Sequence, residues 1–104
     1  MQTRLFRQGD ILFARIQKLP RGAARKHEDG IVAHGEVTGH THAIADPEAA
    51  ELLEIEAGLF VKVSAGGGVS IVHQEHKPIE LPRGNYRVIR QREYSPEEIR
   101  NVAD

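Results

Sequence analysis

The sequence predicts an all-β fold, a small antiparallel β-barrel or sandwich, with one short C-terminal helix. Short stretches rich in β-branched residues recur along the 104 residues. Glycine and proline interrupt them about every 8–12 residues, as in small barrels and sandwiches. Within these stretches apolar residues alternate with polar ones, which is the period of a strand with one buried face. Closure into a barrel would also remove the exposed edges of so many short strands.

The first half of the chain contains a turn, three predicted strands and one ambiguous segment. Gln-Gly-Asp at residues 8–10 predicts a turn that Asp10 caps. Residues 19–30 contain proline, two glycines and five charged residues, which predicts a loop. Residues 46–58 begin with Asp-Pro-Glu, as a helix does, yet their ELLEIE also fits a strand. The predicted strands of this half cover residues 10–16, 31–37 and 40–45.

The second half continues with strands and ends in the predicted helix. Three glycines at 66–68 predict a hairpin loop, and two prolines in 77–84 predict a bend. Ser95, Pro96 and Glu98 form the capping pattern of a helix start, so residues 95–104 are predicted as a helix. It would pack on one β-domain formed by residues 1–94. The predicted strands of this half cover residues 59–65, 69–76 and 85–94.

The composition indicates a cytoplasmic protein without a nucleic-acid or membrane partner. Fourteen basic residues oppose 15 acidic ones, so no strong field attracts nucleic acid or an anionic membrane. Cysteine is absent, which excludes disulfides and thiolate metal sites. The first residues lack the apolar core of a signal peptide, and no apolar run approaches the roughly 20 residues that span a bilayer.

Five of the six histidines lie in two short clusters, HGEVTGHTHAI at 34–44 and HQEH at 73–76. On a strand, His40 and His42 would lie on one face, roughly 6.5–7 Å apart along the chain. His73 and His76 would face opposite sides of an ideal strand, so both reach one ion only if the chain turns between them. His34 has the same parity as the first pair and is the reserve ligand.

This pattern predicts a site for one divalent metal ion, with zinc first and iron, manganese or nickel as alternatives. Three neutral imidazoles with an open position form a catalytic zinc site, where the pKa of bound water falls to about 7. Glu75 or Glu36 would transfer protons or orient a ligand ring. Arg87, Arg90 and Tyr86 would bind an anionic substrate. Histidines that only bond to backbone or lie at the surface remain the alternative.

Two functions follow from these residues. The first is a hydrolase- or lyase-type metalloenzyme that acts on a small molecule. The second is a non-catalytic binding module, with a structural histidine–metal site or a surface that binds protein or RNA. Three protein ligands with an open position would favour the enzyme, and four would favour the module. Flat strand edges make a homodimer possible in either case.

The order of the motifs resembles that of a group of small, uncharacterised bacterial and phage proteins. The resemblance rests on RQGDILF, HGEVTGHTHAI and HQEHKPIELPRGNYRVIRQREY. More loosely, His40-x-His42 and the six-residue gap between Glu51 and Gly58 are similar to the first cupin motif, which implies a metal-binding barrel. Arg87 stands where the second cupin motif has histidine, so that ligand would come from residue 73 or 76.

Overall fold

The computed structural model describes residues 5–35 and 39–91, which contain ten antiparallel β-strands and no helix. These residues accordingly include no helix that could cross a membrane. The strands are β1 (Leu5–Gln8), β2 (Ile11–Ile16), β3 (Arg25–Lys26), β4 (Ile31–His34), β5 (Thr41–Ile44), β6 (Ala50–Ile55), β7 (Gly58–Val63), β8 (Val69–Val72), β9 (Ile79–Leu81) and β10 (Gly84–Arg90).

Six strands form one sheet in the order β1-β2-β10-β7-β6-β3. Because side chains alternate across a strand, Ile11 and Phe13 of β2 point to the same side and are fully buried. Val61 and Tyr86 are also fully buried and are opposite each other on β7 and β10. The inner face of this sheet therefore forms one wall of the core.

The other four strands form a second sheet in the order β4-β5-β8-β9. Its buried side chains join those of the first sheet in one apolar cluster. The predicted all-β class is thus confirmed, and the two separate sheets fit the sandwich rather than a closed barrel. The core residues from this sheet are Val32, Ile44, Val69, Ile71 and Leu81.

The ambiguous segment 46–58 is a tight turn and a strand, so its helical interpretation is wrong. Asp46 Oδ1 accepts the backbone N–H of Glu48, and the Asp46 carbonyl accepts that of Ala49. The chain then enters β6, which pairs with β7 along its whole length. Cross-strand pairing and burial outweigh the helix-start residues here.

Two segments predicted as loop or bend also contain short strands. β3 lies within residues 19–30 and pairs with β6, and β9 lies within 77–84 and pairs with β8. Pro78 and Pro82 directly flank β9, where a missing N–H costs no ladder bond. The helix predicted for 95–104 lies outside the described residues.

Gly68 brings the turn before β8 against β9. Its φ is +81°, and a Cβ at this position would lie 2.5 Å from the Leu81 carbonyl oxygen. Only glycine fits a left-handed conformation with a neighbouring backbone this close. Gly67, the preceding residue, has no heavy atom within 4 Å of a Cβ built on it.

Candidate functional site

The structure brings four histidines from two distant segments into one cluster. His42 lies in β5, and His40 directly precedes that strand. His73 and His76 lie in the bend that follows β8. We call these four residues the histidine cluster. Its ring centroids are 4.4 Å apart for His42–His73, 4.6 Å for His73–His76, 5.5 Å for His40–His73 and 6.1 Å for His42–His76.

His42 is the buried member of the cluster, with 3% of its surface exposed. Burial lowers the pKa of its imidazole to about 4, and the neighbouring His73 acts in the same direction. The ring is therefore neutral at neutral pH, which is the form that binds metal ions.

Gln8 determines which nitrogen of His42 carries the proton. The Gln8 amide nitrogen donates to the carbonyl oxygens of Ile71, at 2.8 Å, and Lys77, at 3.0 Å. A flipped amide would place its oxygen against both carbonyls, so Gln8 Oε1 must face His42 Nδ1, 2.8 Å away. An amide oxygen only accepts, so Nδ1 donates. The basic nitrogen of the neutral ring is then Nε2.

Asp10 lies on the Nε2 side of His42. Its Oδ1 is 3.6 Å from His42 Nε2, which is beyond hydrogen-bond distance. Its other oxygen, Oδ2, accepts from Arg90 Nε at 3.2 Å. Arg90 also donates to the backbone carbonyl of His34. Asp10 and Arg90 thus connect the β1–β2 turn and the end of β10 to the cluster.

Gly9 leaves room for the ring of His76. A Cβ on Gly9 would lie 2.6 Å from His76 Nε2, and its φ of +61° is one that glycine adopts without strain. The Gln-Gly-Asp turn of residues 8–10 therefore contacts the cluster through each of its residues.

The proton of the neutral His73 ring lies on the other nitrogen from that of His42. His73 Nδ1 accepts the backbone N–H groups of Glu75, at 3.0 Å, and His76, at 3.2 Å. Nε2 of the neutral ring therefore carries the proton. Burial and the neighbouring His76 and His40 lower the pKa of His73, which favours this neutral form. These bonds close the bend that brings His73 and His76 to one side, as the sequence spacing required.

Glu75 contacts His40 at the exposed side of the cluster. His40 Nδ1 is 2.8 Å from Glu75 Oε1. Because a carboxylate only accepts, Nδ1 donates, and Nε2 is the basic nitrogen of a neutral His40 ring. A carboxylate bound to the outer nitrogen is the usual support of a metal-binding histidine.

The remaining predicted site residues lie in different surroundings. Tyr86 lies in the core against Phe6, and its hydroxyl donates to the Pro82 carbonyl at 2.5 Å. Arg87 is exposed on β10, and the exposed His34 ends β4 opposite Thr41. Glu36 lies outside the described residues. The structure thus places Arg90, but not Tyr86, beside the histidine cluster.

The cluster rings stack, tilt or meet edge to face, rather than point at one centre. Across residues 5–35 and 39–91, no group of three or more His, Asp or Glu side chains is arranged to hold a metal ion as it stands. The planes of His42 and His76 differ by 15°, and those of His42 and His73 by 42°. Metal binding therefore requires rotation of rings that are already adjacent.

Sequence reasoning identified the histidines but not the contacts of residues 8–10. Gln8 lies 34 positions from His42 and 63 from Ile71 in the chain, so no local spacing signals their contact. The signal available was the Gln-Gly-Asp tripeptide itself, whose polar residues flank a glycine at a strand end.

Comparison with known proteins gives a family but no activity. No curated protein and no solved structure matches the chain. A family model described as a domain of unknown function, DUF8820, matches residues 7–91. This range includes Gln8, Asp10, Arg90 and the whole histidine cluster. Because the match covers most of the sequence, the chain belongs to the DUF8820 domain family.

Proposed function

We propose that the protein binds one divalent transition metal ion in the histidine cluster, with zinc as the first candidate and iron, manganese or nickel as alternatives. The observation that carries the proposal is the buried, neutral ring of His42. Its basic nitrogen, Nε2, lies 3.6 Å from the carboxylate of Asp10. Buried neutral imidazoles with one nitrogen fixed by a hydrogen bond are typical metal ligands.

The hydrogen bonds favour His42 as a ligand over His73. His40 and His76 are proposed as the further ligands because their rings lie beside these two. Nε2 is the basic nitrogen in His42 and in a neutral His40. In His73 the basic nitrogen already accepts two backbone N–H groups, so coordination would break the bend. The ring torsion of histidine has broad minima, so modest rotations from the stacked arrangement are inexpensive.

We further propose that the ion activates a water molecule for a hydrolase- or lyase-type reaction on a small substrate. The cluster is exposed on one side: the side chains of His40 and Glu75 are 29% and 64% exposed, against 4% for His42. An ion held between them would keep a position open to solvent, and its water would have a pKa of about 7. Glu75 would hold His40 and exchange protons with solvent, and Arg90 would bind an anionic substrate.

Zinc titration of chelator-treated protein tests the metal site. We expect one ion per chain by calorimetry and elemental analysis, and at least about 100-fold weaker binding in His42→Ala and His40→Ala, since each loses a ligand. His27→Ala is the matched control, because His27 bonds to Glu54 outside the cluster. Protein that stays metal-free in excess zinc, or cluster variants that bind like the parent, would contradict the proposal.

The relaxation rate of water protons distinguishes a catalytic metal site, which is open to solvent, from a structural site, which is closed. Protein loaded with Mn²⁺ should accelerate the relaxation of bulk water protons strongly, because an open position exchanges water with solvent. Little acceleration would indicate an ion enclosed by protein ligands, and the non-catalytic binding module would then be the better function.

A further inference from the structure

We propose that Asp10 is an additional ligand of this ion and shifts the preference of the site toward harder divalent ions such as Mn²⁺ and Fe²⁺. The inference rests on the proposed metal site and adds a carboxylate to the three proposed histidine ligands. Mn²⁺ and Fe²⁺ commonly bind six ligands, so these four would still leave two positions for water. Asp10 comes from the β1–β2 turn, whereas the histidines come from β5 and the bend after β8.

The first support is that two groups with lone pairs face each other. Gln8 fixes the proton of the neutral His42 ring on Nδ1, so Nε2 presents a lone pair. Asp10 Oδ1, which only accepts when ionised, lies 3.6 Å from that nitrogen. Neither atom can donate to the other, so a cation between them would bind to both.

The second support is the separation of the two atoms. With metal–ligand distances of about 2.1 Å, two adjacent ligands lie about 3.4 Å apart in a tetrahedral site and about 3.0 Å apart in an octahedral one. The observed separation is 3.6 Å. One ion can therefore contact Asp10 Oδ1 and His42 Nε2 after the two side chains move together by less than about 1 Å.

Arg90 bonds to only one of the two carboxylate oxygens of Asp10, so the other oxygen can bind the ion. Its Nε donates to Asp10 Oδ2, which fixes the plane of the carboxylate and keeps Oδ1 on the His42 side. Arg90 is itself held by the His34 carbonyl. Asp10 is therefore positioned as a monodentate ligand, as second-shell partners commonly position carboxylates.

A carboxylate changes which ions a histidine site accepts. Imidazole suits zinc, copper, iron and nickel, whereas carboxylate oxygen suits manganese and other hard ions. Histidines combined with a carboxylate bind Fe²⁺ in many proteins, and two histidines with one carboxylate are the smallest such set. Removal of the Asp10 charge should therefore weaken Mn²⁺ binding by a larger factor than Zn²⁺ binding.

The test compares Asp10→Asn with Glu75→Gln in titrations of Mn²⁺ and Zn²⁺. Both variants remove one negative charge near the cluster with little change of shape. The amide of Asp10→Asn would retain an oxygen that accepts from Arg90, whereas Glu75 contacts His40 and not His42 Nε2. We expect Asp10→Asn to lose at least about 100-fold in Mn²⁺ affinity and distinctly less in Zn²⁺ affinity. Glu75→Gln should weaken both ions by similar factors of about 10–100.

Spectra of the bound ion provide a second readout. The visible bands of Co²⁺-loaded protein should change strongly in Asp10→Asn and only slightly in Glu75→Gln, because Asp10 would bind cobalt directly whereas Glu75 acts through His40. In the parent, Zn²⁺ should shift the carboxyl ¹³C resonance of Asp10, a measurement that needs no variant. Equal behaviour of the two variants, with an unshifted Asp10 resonance, would overturn the role of Asp10 while leaving the metal site standing. A parent that binds neither ion would overturn the metal site itself.

Discussion

Hydrogen bonds at single residues determine which ring nitrogen of a histidine carries the proton and which one is basic. His42 and His73 lie 4.4 Å apart, yet their protons occupy different ring positions. Gln8 accepts from Nδ1 of the first, and two backbone N–H groups donate to Nδ1 of the second. The same residue type thus accepts two bonds of a turn in one place, and in the other would serve as a ligand of the proposed ion.

Substitution of His73 and His76 should separate these roles. In His73→Asn the amide oxygen can replace Nδ1 as acceptor for the bend, so we expect zinc affinity within about tenfold of the parent. In His76→Asn a ligand is lost, so affinity should fall by at least about 100-fold. Calorimetric titration of both variants measures the difference. Equal losses would show that the hydrogen bonds do not select the ligands.

The stability of the metal-free protein should decrease as the medium becomes acidic. The pKa of His42 is about 4 in the folded chain and about 6.5 when unfolded, so the unfolded state takes up the proton first. Its contribution is complete above about pH 6.5 and is lost as the pH falls toward 4. Between pH 7.5 and 5 this amounts to about 2 kcal/mol. The lowered pKa of His73 acts with the same sign.

Urea unfolding with a chelator present, at pH 7.5 and pH 5, measures this slope. His42→Asn keeps a donor for Gln8, because its amide nitrogen lies near the position of Nδ1, and removes the titrating group, so most of the slope should disappear. A variant with the full slope of the parent would assign the acid sensitivity to other groups.

Sequence spacing predicts part of the histidine cluster, but not the contacts of Gln8 and Asp10 with His42. The alternation of His40 and His42 along a strand, and the turn needed between His73 and His76, follow from local geometry. The contacts of Gln8 and Asp10 depend on how two sheets pack, which no local pattern encodes. The sequence around Asp10 predicts only a turn cap, because no neighbouring residue indicates its contact with His42.

At the level of elements, the sequence predicts the strands in which apolar and polar residues alternate clearly. It does not predict the strands whose conformation depends on pairing with a neighbouring strand. Residues 10–16 and 59–65 alternate and become β2 and β7. Segment 46–58 carries both helix-start and strand signals, and its pairing with β7 decides the outcome. The two prolines that flank β9 predict a bend instead of a strand. Its strand conformation comes from pairing with β8, a contact that local propensity does not show.

The Gly66–Gly68 turn permits a matched test of this packing. We expect Gly68→Ala to destabilise the fold by about 1–3 kcal/mol, because its φ is +81° and its Cβ would meet the Leu81 carbonyl. Gly67→Ala should be neutral or stabilise by up to about 1 kcal/mol, since nothing crowds it. Urea unfolding of both variants provides the values. Similar losses would show that the turn does not depend on the left-handed glycine.

At the level of the whole molecule, the site lies where the two sheets meet. Gln8 of the six-stranded sheet bonds to the carbonyl of Ile71 in the four-stranded sheet and to the ring of His42. Asp10 and Arg90 reach the same ring from the first sheet. An ion bound here would cross-link the sandwich, so binding and folding stability would be coupled.

Anomalous diffraction from crystals of zinc-loaded protein, recorded at the zinc edge, tests the central claim most directly. The account predicts one peak per chain, about 2.0–2.1 Å from His42 Nε2, with His40 and His76 turned toward it. No peak at the histidine cluster, or a peak only at surface residues such as His27 and Glu54, would contradict it.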